Sequence, residues 1–211
     1  MRPVDLAVYV ITDRRLARGR SHEEIAAAAV AGGATVVQLR DKELTTRQMV
    51  ETAVRMLALV RPAGVPLVIN DRVDVVLAAD ADGVHVGPDD LTVEAARRIL
   101  GPDRIVGASA GTVEEAVQAE REGADYLGVG SVFETASKAD AGPPIGIEGL
   151  SRIVQAVRLP VVAIGGITLA NAAEAIRAGA TGVAVISAVV AAADIAAATR
   201  SLVEVVRAAR G

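Results

Sequence analysis

The stretch VVQLRDK, residues 36 to 42, sets an amide and two cations at a period of two. If Val36 to Arg40 is a β-strand, Val36, Gln38 and Arg40 share one face, Val37 and Leu39 take the other, and Lys42 continues the first face just past the strand. A strand in a buried sheet reads as nearly continuous apolar sequence, so two cations aimed at one point need a reason. Other apolar runs also end in polar residues: PLVIND in Asn70 and Asp71, GVHVGPDD in Asp89 and Asp90, RIVGAS in Ser109. Arg40 and Lys42 suit a polyanion. Asp71 and Asp90 would repel that polyanion unless a cation lies between them. Magnesium resolves the conflict, because it takes oxygen ligands from one or two carboxylates together with substrate phosphates. A diphosphate held by Arg, Lys and Mg²⁺ is the simplest reading; the alternative is that the carboxylates only pair with the two cations.

The elements that must bring these residues together alternate from end to end. AVYVITD, VVQLR, PLVIND, GVHVG, RIVGAS, YLGVGS, PVVAIGG and GVAVIS read as eight strands, about 26 residues apart on average, separated by amphipathic helical runs. Ser21 in SHEE and Thr112 in TVEE fit the capping box, and Thr92 and Thr168 read as plain N-caps. A helix over Thr46 to Val60 is expected to bury Val50, Ala53, Val54, Leu57 and Val60, with Glu51, Thr52 and Arg55 elsewhere. AGGATVV, REGADYL and RAGATGV repeat a glycine-alanine step before a strand, the position of a left-handed helix cap. The pattern predicts an α/β fold, a single closed (β/α)8 barrel of parallel strands over residues 1–211. An open doubly wound sheet would carry GxGxxG after its first strand, where this chain reads ITDRRLARG. In a barrel the C-terminal strand ends form one mouth, so the polar residues converge.

A second anion site is expected across that mouth. AIGGI at 163 to 167 and VISA at 185 to 188 follow the seventh and eighth strands, where barrels bind phosphate with backbone amides. Gly165 and Gly166 would let backbone approach a ligand closely. The longest irregular segment, FETASKADAGPPIG at 133 to 146, has a length typical of functional loops, and its Thr135, Ser137 and Lys138 supply hydroxyls and a third cation. The chain has two histidines. His85, on the fourth strand, reads as a hydrogen-bonded structural histidine rather than a catalytic base, with its face undetermined. His22, in the first turn of a helix, reads as a surface residue.

Composition excludes several classes. A net charge of −4 with 22 scattered basic residues leaves no footprint for nucleic acid or an anionic membrane, and 1% aromatics removes base-stacking platforms. The absence of cysteine excludes disulfides, thiolate metal sites and cysteine nucleophiles, and fits a cytoplasmic setting. MRPVDLAVYVITD lacks the apolar stretch and cleavage site of a signal peptide. The least polar stretch, 16 residues between Arg177 and Asp194, is too short and too interrupted to span a bilayer.

QLRDK, ND, GVHVGPDD, GASAGT, TASK, GGI and VIS, in this order and over essentially the whole chain, together resemble the thiamine phosphate synthase family. The resemblance implies a (β/α)8 barrel that joins hydroxymethylpyrimidine diphosphate to a thiazole phosphate, or its carboxylated form, releasing diphosphate. It implies a dissociative mechanism, in which the bond to diphosphate breaks first and the thiazole nitrogen captures a pyrimidine-stabilised carbocation. Carried over by motif, Gln38, Leu39, Arg40, Asp41, Lys42, Asn70, Ser109 and Lys138 would bind the pyrimidine diphosphate, with Arg40, Lys42, Ser109 and Lys138 counted as catalytic. Asp71 and Asp90 would ligate Mg²⁺. Thr135, Ala136, Ser137, Gly166, Ile186 and Ser187 would hold the thiazole phosphate. Two positions depart from the family pattern: Gly111 stands where a histidine is common, and Ser131 where a proline is. The implied partners are small-molecule substrates; whether the chain forms a homo-oligomer is left open by the sequence. The rivals are a thiazole tautomerase, which needs no diphosphate grip, and a non-catalytic phosphate-ligand sensor.

Overall fold

The computed structural model describes residues 4–135 and 143–211. Runs rich in valine and isoleucine, residues whose branched side chains pack well on a pleated surface, form β1 (Val8–Ile11), β2 (Val36–Leu39), β3 (Leu67–Asn70), β4 (Gly83–Val86), β5 (Ile105–Ala110), β6 (Tyr126–Val129), β7 (Val161–Ala163) and β8 (Gly182–Val185). They close into a barrel in chain order. Each neighbouring pair is parallel, and β8 returns to β1 with Val8 opposite Val183.

Helices cover the outside: α1 (His22–Ala31), α2 (Thr46–Val60), α3 (Val73–Ala79), α4 (Val93–Leu100), α5 (Val113–Arg121), α6 (Gly146–Ala156), α7 (Ala172–Arg177), α8 (Ser187–Val190) and α9 (Ile195–Arg210). Ser21 and Thr112 close the capping boxes expected of them, Thr92 caps α4, and α2 carries a further box of Thr45 with Gln48. The three repeated glycines, Gly33, Gly123 and Gly179, all lie at positive φ. Among the described residues no helix is long and apolar enough to cross a membrane.

Strand parity divides the core in two. Val37, Leu39, Ile69, Val84, Leu127 and their like face the helices. Tyr9, Ile11, Val36, Val68, Tyr126 and Val162 fill the barrel interior. Gln38 and Arg40 share the inward parity of Val36, so the sheet itself delivers them to the mouth.

Three local expectations are corrected. His22 is not a surface residue: it is 2% exposed, because its ring folds in from the start of α1 to meet polar partners. Thr168 does not cap α7, which begins only at Ala172; the Thr168 amide instead donates to the side chain of Asn171. The buried stripe of α2 holds Ala53, Leu57 and Val60 as expected, but it also takes in Met49, Thr52 and Met56, leaves Val50 half-buried and turns Val54 out at 49% exposure. The long, flexible methionine side chains fill the buried face of a helix that lies against α1 and α3.

Candidate active site

All eight strands are parallel, so their C-terminal ends lie at one mouth. At the end of β2, Arg40 is 8% exposed, and its Nη1 donates to Asp13 at 3.1 Å, just past β1. Asp13 also accepts from Arg15 at 3.3 Å. Lys42 is more open, and its Nζ donates to Asp71 at 2.6 Å, just past β3. The suspected pairing of carboxylates with these two cations therefore holds for Lys42 with Asp71, while Arg40 has a different acid as its partner.

Asp71 takes a left-handed backbone at φ 65°. Its amide still donates to the carbonyl of His85 at 2.8 Å, so the chain leaves the ladder only after this residue and turns the carboxylate toward the mouth. Asp90, from the loop after β4, accepts from the Gly87 amide at 2.8 Å. Its pKa is raised first by burial, and the contacting Asp71 carboxylate pushes it further up against the pull of Lys42. Two carboxylates held against one another are relieved by a cation. Among the described residues no group of three or more acidic, histidine or cysteine side chains converges as a metal cage. A pair of acids is what magnesium takes when substrate phosphates complete its shell, so the donor set fits Mg²⁺.

Below the charges lies a neutral polar floor inside the barrel. Gln38 Nε2 donates to the Tyr9 hydroxyl at 2.9 Å, and Tyr9 meets the Tyr126 hydroxyl at 2.8 Å. Tyr126 in turn meets His85 Nδ1 at 3.0 Å, and His85 Nε2 meets Ser109 Oγ at 3.0 Å. Burial pushes both tyrosine pKa values well above their ordinary value, so both stay protonated. One direction of donation satisfies the whole row, with the neutral His85 protonated at Nε2. Glycines make the room: a Cβ at Gly107 would lie 2.1 Å from the Tyr126 ring, and one at Gly128 would lie 2.9 Å from His85 Cε1. Asn70 sits beside this floor, paired in register with His85. The side His85 faces, open from sequence, is thus the interior.

The opposite rim is made of backbone. Gly165 and Gly166 have φ of 91° and 65°. The Phe133 amide donates to the Gly165 carbonyl at 3.0 Å, strapping the loop after β6 onto the loop after β7. A Cβ on Gly166 would meet the Glu134 carbonyl at 2.4 Å, so the glycines are required by the close approach of these two loops. Ile186 and Ser187 follow β8 and lead into α8. Thr135 is the last residue described before the gap; Ala136, Ser137 and Lys138 lie outside the described residues.

Two expected contacts turn away from the mouth. Leu39 is buried on the helix side, so its side chain does not reach the mouth. The Asp41 carboxylate accepts from His22, Arg14 and the amides of Glu43 and Leu44. Burial raises its pKa, but these hydrogen bonds outweigh burial and hold it well below the usual carboxylate range. Gly111, where a histidine was expected, has its amide on Glu115 Oε2 at 2.6 Å, inside the capping box of α5. Sequence reasoning passed over Thr12, Asp13, Tyr9 and Tyr126. The signal was available: the chain's two tyrosines have the same strand parity as Gln38 and Ser109.

Comparison with known proteins gives one consistent description across sequence and structure. The family model described as thiamine monophosphate synthase matches residues 8–189. The thiamine-phosphate synthase of Chloroflexus aurantiacus is 59% identical over 94% of this chain and 92% of its own length. That of Moorella thermoacetica is 55% identical over 97% of each. Among solved structures, a thiamine phosphate pyrophosphorylase from Pyrococcus furiosus superposes with a TM-score of 0.91 at 46% identity, covering 99% of both chains.

Proposed function

The chain belongs to the thiamine monophosphate synthase family, and from that premise we propose how its barrel mouth joins hydroxymethylpyrimidine diphosphate to a thiazole phosphate, as a transferase that releases diphosphate. The observation that carries the residue assignments is the meeting of three strand ends: Arg40 and Lys42 beside the contacting pair Asp71 and Asp90, above a floor of neutral hydrogen-bonding groups. The charged part suits a diphosphate. The neutral floor suits a heteroaromatic ring that offers both acceptors and a donor.

Gln38, Asn70 and Ser109 bind the pyrimidine, with Tyr9, Tyr126 and His85 holding them in place. Asp71 and Asp90 would hold Mg²⁺, which when bound neutralises charge on the diphosphate oxygens. As the carbon–oxygen bond breaks, both electrons leave with the diphosphate oxygen, and Arg40 and Lys42 meet the charge that grows there. The carbon left behind is a cation stabilised by the pyrimidine, and the thiazole nitrogen supplies the pair that forms the new bond. Neither step needs a proton removed, which agrees with a floor of neutral hydroxyls and amides. Gly166, Ile186, Ser187 and Thr135 hold the thiazole phosphate, with Ala136, Ser137 and Lys138 continuing that loop and Lys138 adding a further cation to the leaving group. A cytoplasmic setting fits a chain without cysteine.

The test is direct. Pure protein incubated with both substrates and Mg²⁺ should yield thiamine phosphate by mass, and excess chelator should stop it. Isomerisation of the thiazole phosphate without coupling would point to the tautomerase instead. A pyrimidine diphosphate bearing trifluoromethyl in place of its ring methyl should bind about as well yet react far more slowly. Near-normal turnover of that analogue would refute the dissociative order.

A further inference from the structure

We propose that His22 is a positioning residue for the diphosphate grip: its Nε2 holds Asp41, and Asp41 fixes the turn that aims Arg40 and Lys42 into the mouth. The proposal rests on reading Arg40 and Lys42 as the diphosphate site. β2 ends at Leu39 and α2 does not start until Thr46, so the grip lies on backbone that no strand or helix includes. Something else must hold it still.

The Asp41 carboxylate supplies that anchor. Its Oδ1 accepts from the amides of Glu43 at 2.8 Å and Leu44 at 2.9 Å, closing the turn that contains Lys42. Its Oδ2 accepts from Arg14 Nε at 2.8 Å and from His22 Nε2 at 2.9 Å. Arg14 is 42% exposed on its side chain, a long flexible group in contact with water, whereas His22 is 2% exposed. The imidazole is therefore the fixed end of the anchor.

The other ring nitrogen reaches the strand next door. His22 Nδ1 lies 2.7 Å from Thr12 Oγ1, and that oxygen is 3.4 Å from the Arg40 amide. One arrangement uses each proton once: His22 Nε2–H donates to Asp41, Thr12 O–H donates to His22 Nδ1, and the Arg40 amide donates to Thr12. It requires a neutral ring, in line with burial, which lowers the His22 pKa against the pull of Asp41. The ring is not needed to start α1, which is capped by the reciprocal bonds of Ser21 and Glu24. Filling space alone would call for an apolar side chain, because a buried polar ring loses hydration that only its partners replace. Its partners flank the grip on both sides, Arg40 through Thr12 and Lys42 through Asp41.

Two isosteric replacements separate the links. The amide nitrogen of glutamine reaches about as far as Nε2 and keeps the bond to Asp41, while that of asparagine reaches only as far as Nδ1. The expected result is that His22→Asn raises the KM for the pyrimidine diphosphate about tenfold, the order of one hydrogen bond to a charged group, while His22→Gln stays within about threefold. The KM for the thiazole phosphate should move less than about twofold in either variant. Equal effects of the two variants, or equal shifts for the two substrates, would overturn the proposal. Lys42→Ala serves as the control: if it leaves the pyrimidine diphosphate KM unchanged, the diphosphate site itself is misread, an outcome distinct from failure of His22 alone. Wild-type protein with ¹⁵N-labelled histidine gives a readout that needs no variant to fold. Magnesium diphosphate should shift the His22 ring resonances, and their staying in place at saturation would also overturn the proposal.

Discussion

At the ends of β2, β3 and β4 the mouth is lined by charged side chains, Arg40, Lys42, Asp71 and Asp90, that reach across gaps to charged partners, Lys42 and Asp90 to Asp71 and Arg40 to Asp13. At the ends of β6, β7 and β8 it is backbone that comes close, with loops strapped carbonyl to amide and glycine where a Cβ cannot fit. The difference is what the two proposed anion sites call for. A leaving diphosphate gains charge during the reaction and is best met by full charges and a metal. A phosphate that only anchors the second substrate keeps its charge, and fixed dipoles suffice. The two rims should therefore fail in opposite ways: the first when side chains are shortened, the second when side chains are added.

The largest expected effect is on the charged rim. Arg40→Ala should lower kcat/KM by about 10² to 10³, the usual cost of a lost donor to developing charge. It should also lower the melting temperature, because Asp13, 3% exposed, loses its buried partner. Lys42→Ala should lose activity on a similar scale with little change in melting, since its pair with Asp71 is 58% exposed on the lysine side. Steady-state kinetics and calorimetric melting of the two variants check this split; a stable, active Arg40→Ala would break it.

Next comes the backbone rim. Gly166→Val must find room where a Cβ would already lie 2.7 Å from that of Phe133. It should push the loop after β6 outward and raise the KM for the thiazole phosphate by about 10- to 100-fold, the scale of one or two hydrogen bonds to a charged group. Pyrimidine diphosphate binding should be nearly intact. An equal loss of both affinities would mean the two rims are not separate sites.

How much of this was legible beforehand differs between the rims for the same reason. Arg40, Lys42, Asp71 and Asp90 announce themselves by residue type, because charge at the end of an apolar strand has few explanations. The barrel was legible too, since eight apolar runs and capped helices recur along the chain. The backbone rim left only a pair of glycines, and their cause, the approach of Glu134 and Phe133, lies across a gap of more than thirty residues that no local pattern spans. His22 was misread because helix N-terminal positions are usually exposed, and only the tertiary fold brings Thr12 and Asp41 to its ring. The buried tyrosines were hidden by their own strands, where an aromatic residue reads as packing until its hydroxyl finds a partner.

A smaller effect concerns acid. Asp41 titrates below its ordinary value of 3.8 in the folded protein, so it contributes stability at neutral pH that is lost as pH falls through its folded-state pKa. Asp41→Asn should therefore lower the melting temperature at pH 7, and the difference from wild type should shrink steadily below about pH 4. A constant difference across that range, measured by scanning calorimetry, would remove Asp41 from the network. Smallest of all should be Ser187→Ala. It removes one hydroxyl and leaves the backbone, so the thiazole phosphate KM should rise only about two- to tenfold. A larger loss would show that the second rim also depends on side chains.

The central claim, that side-chain charge at β2 to β4 holds the diphosphate, is tested most directly by calorimetric titration with inorganic diphosphate in the presence of Mg²⁺. Wild type and Gly166→Val should bind it alike, while Lys42→Ala, or wild type in excess chelator, should bind it weakly or not at all. Binding that survives both chelator and Lys42→Ala, or that disappears in Gly166→Val, would contradict the account.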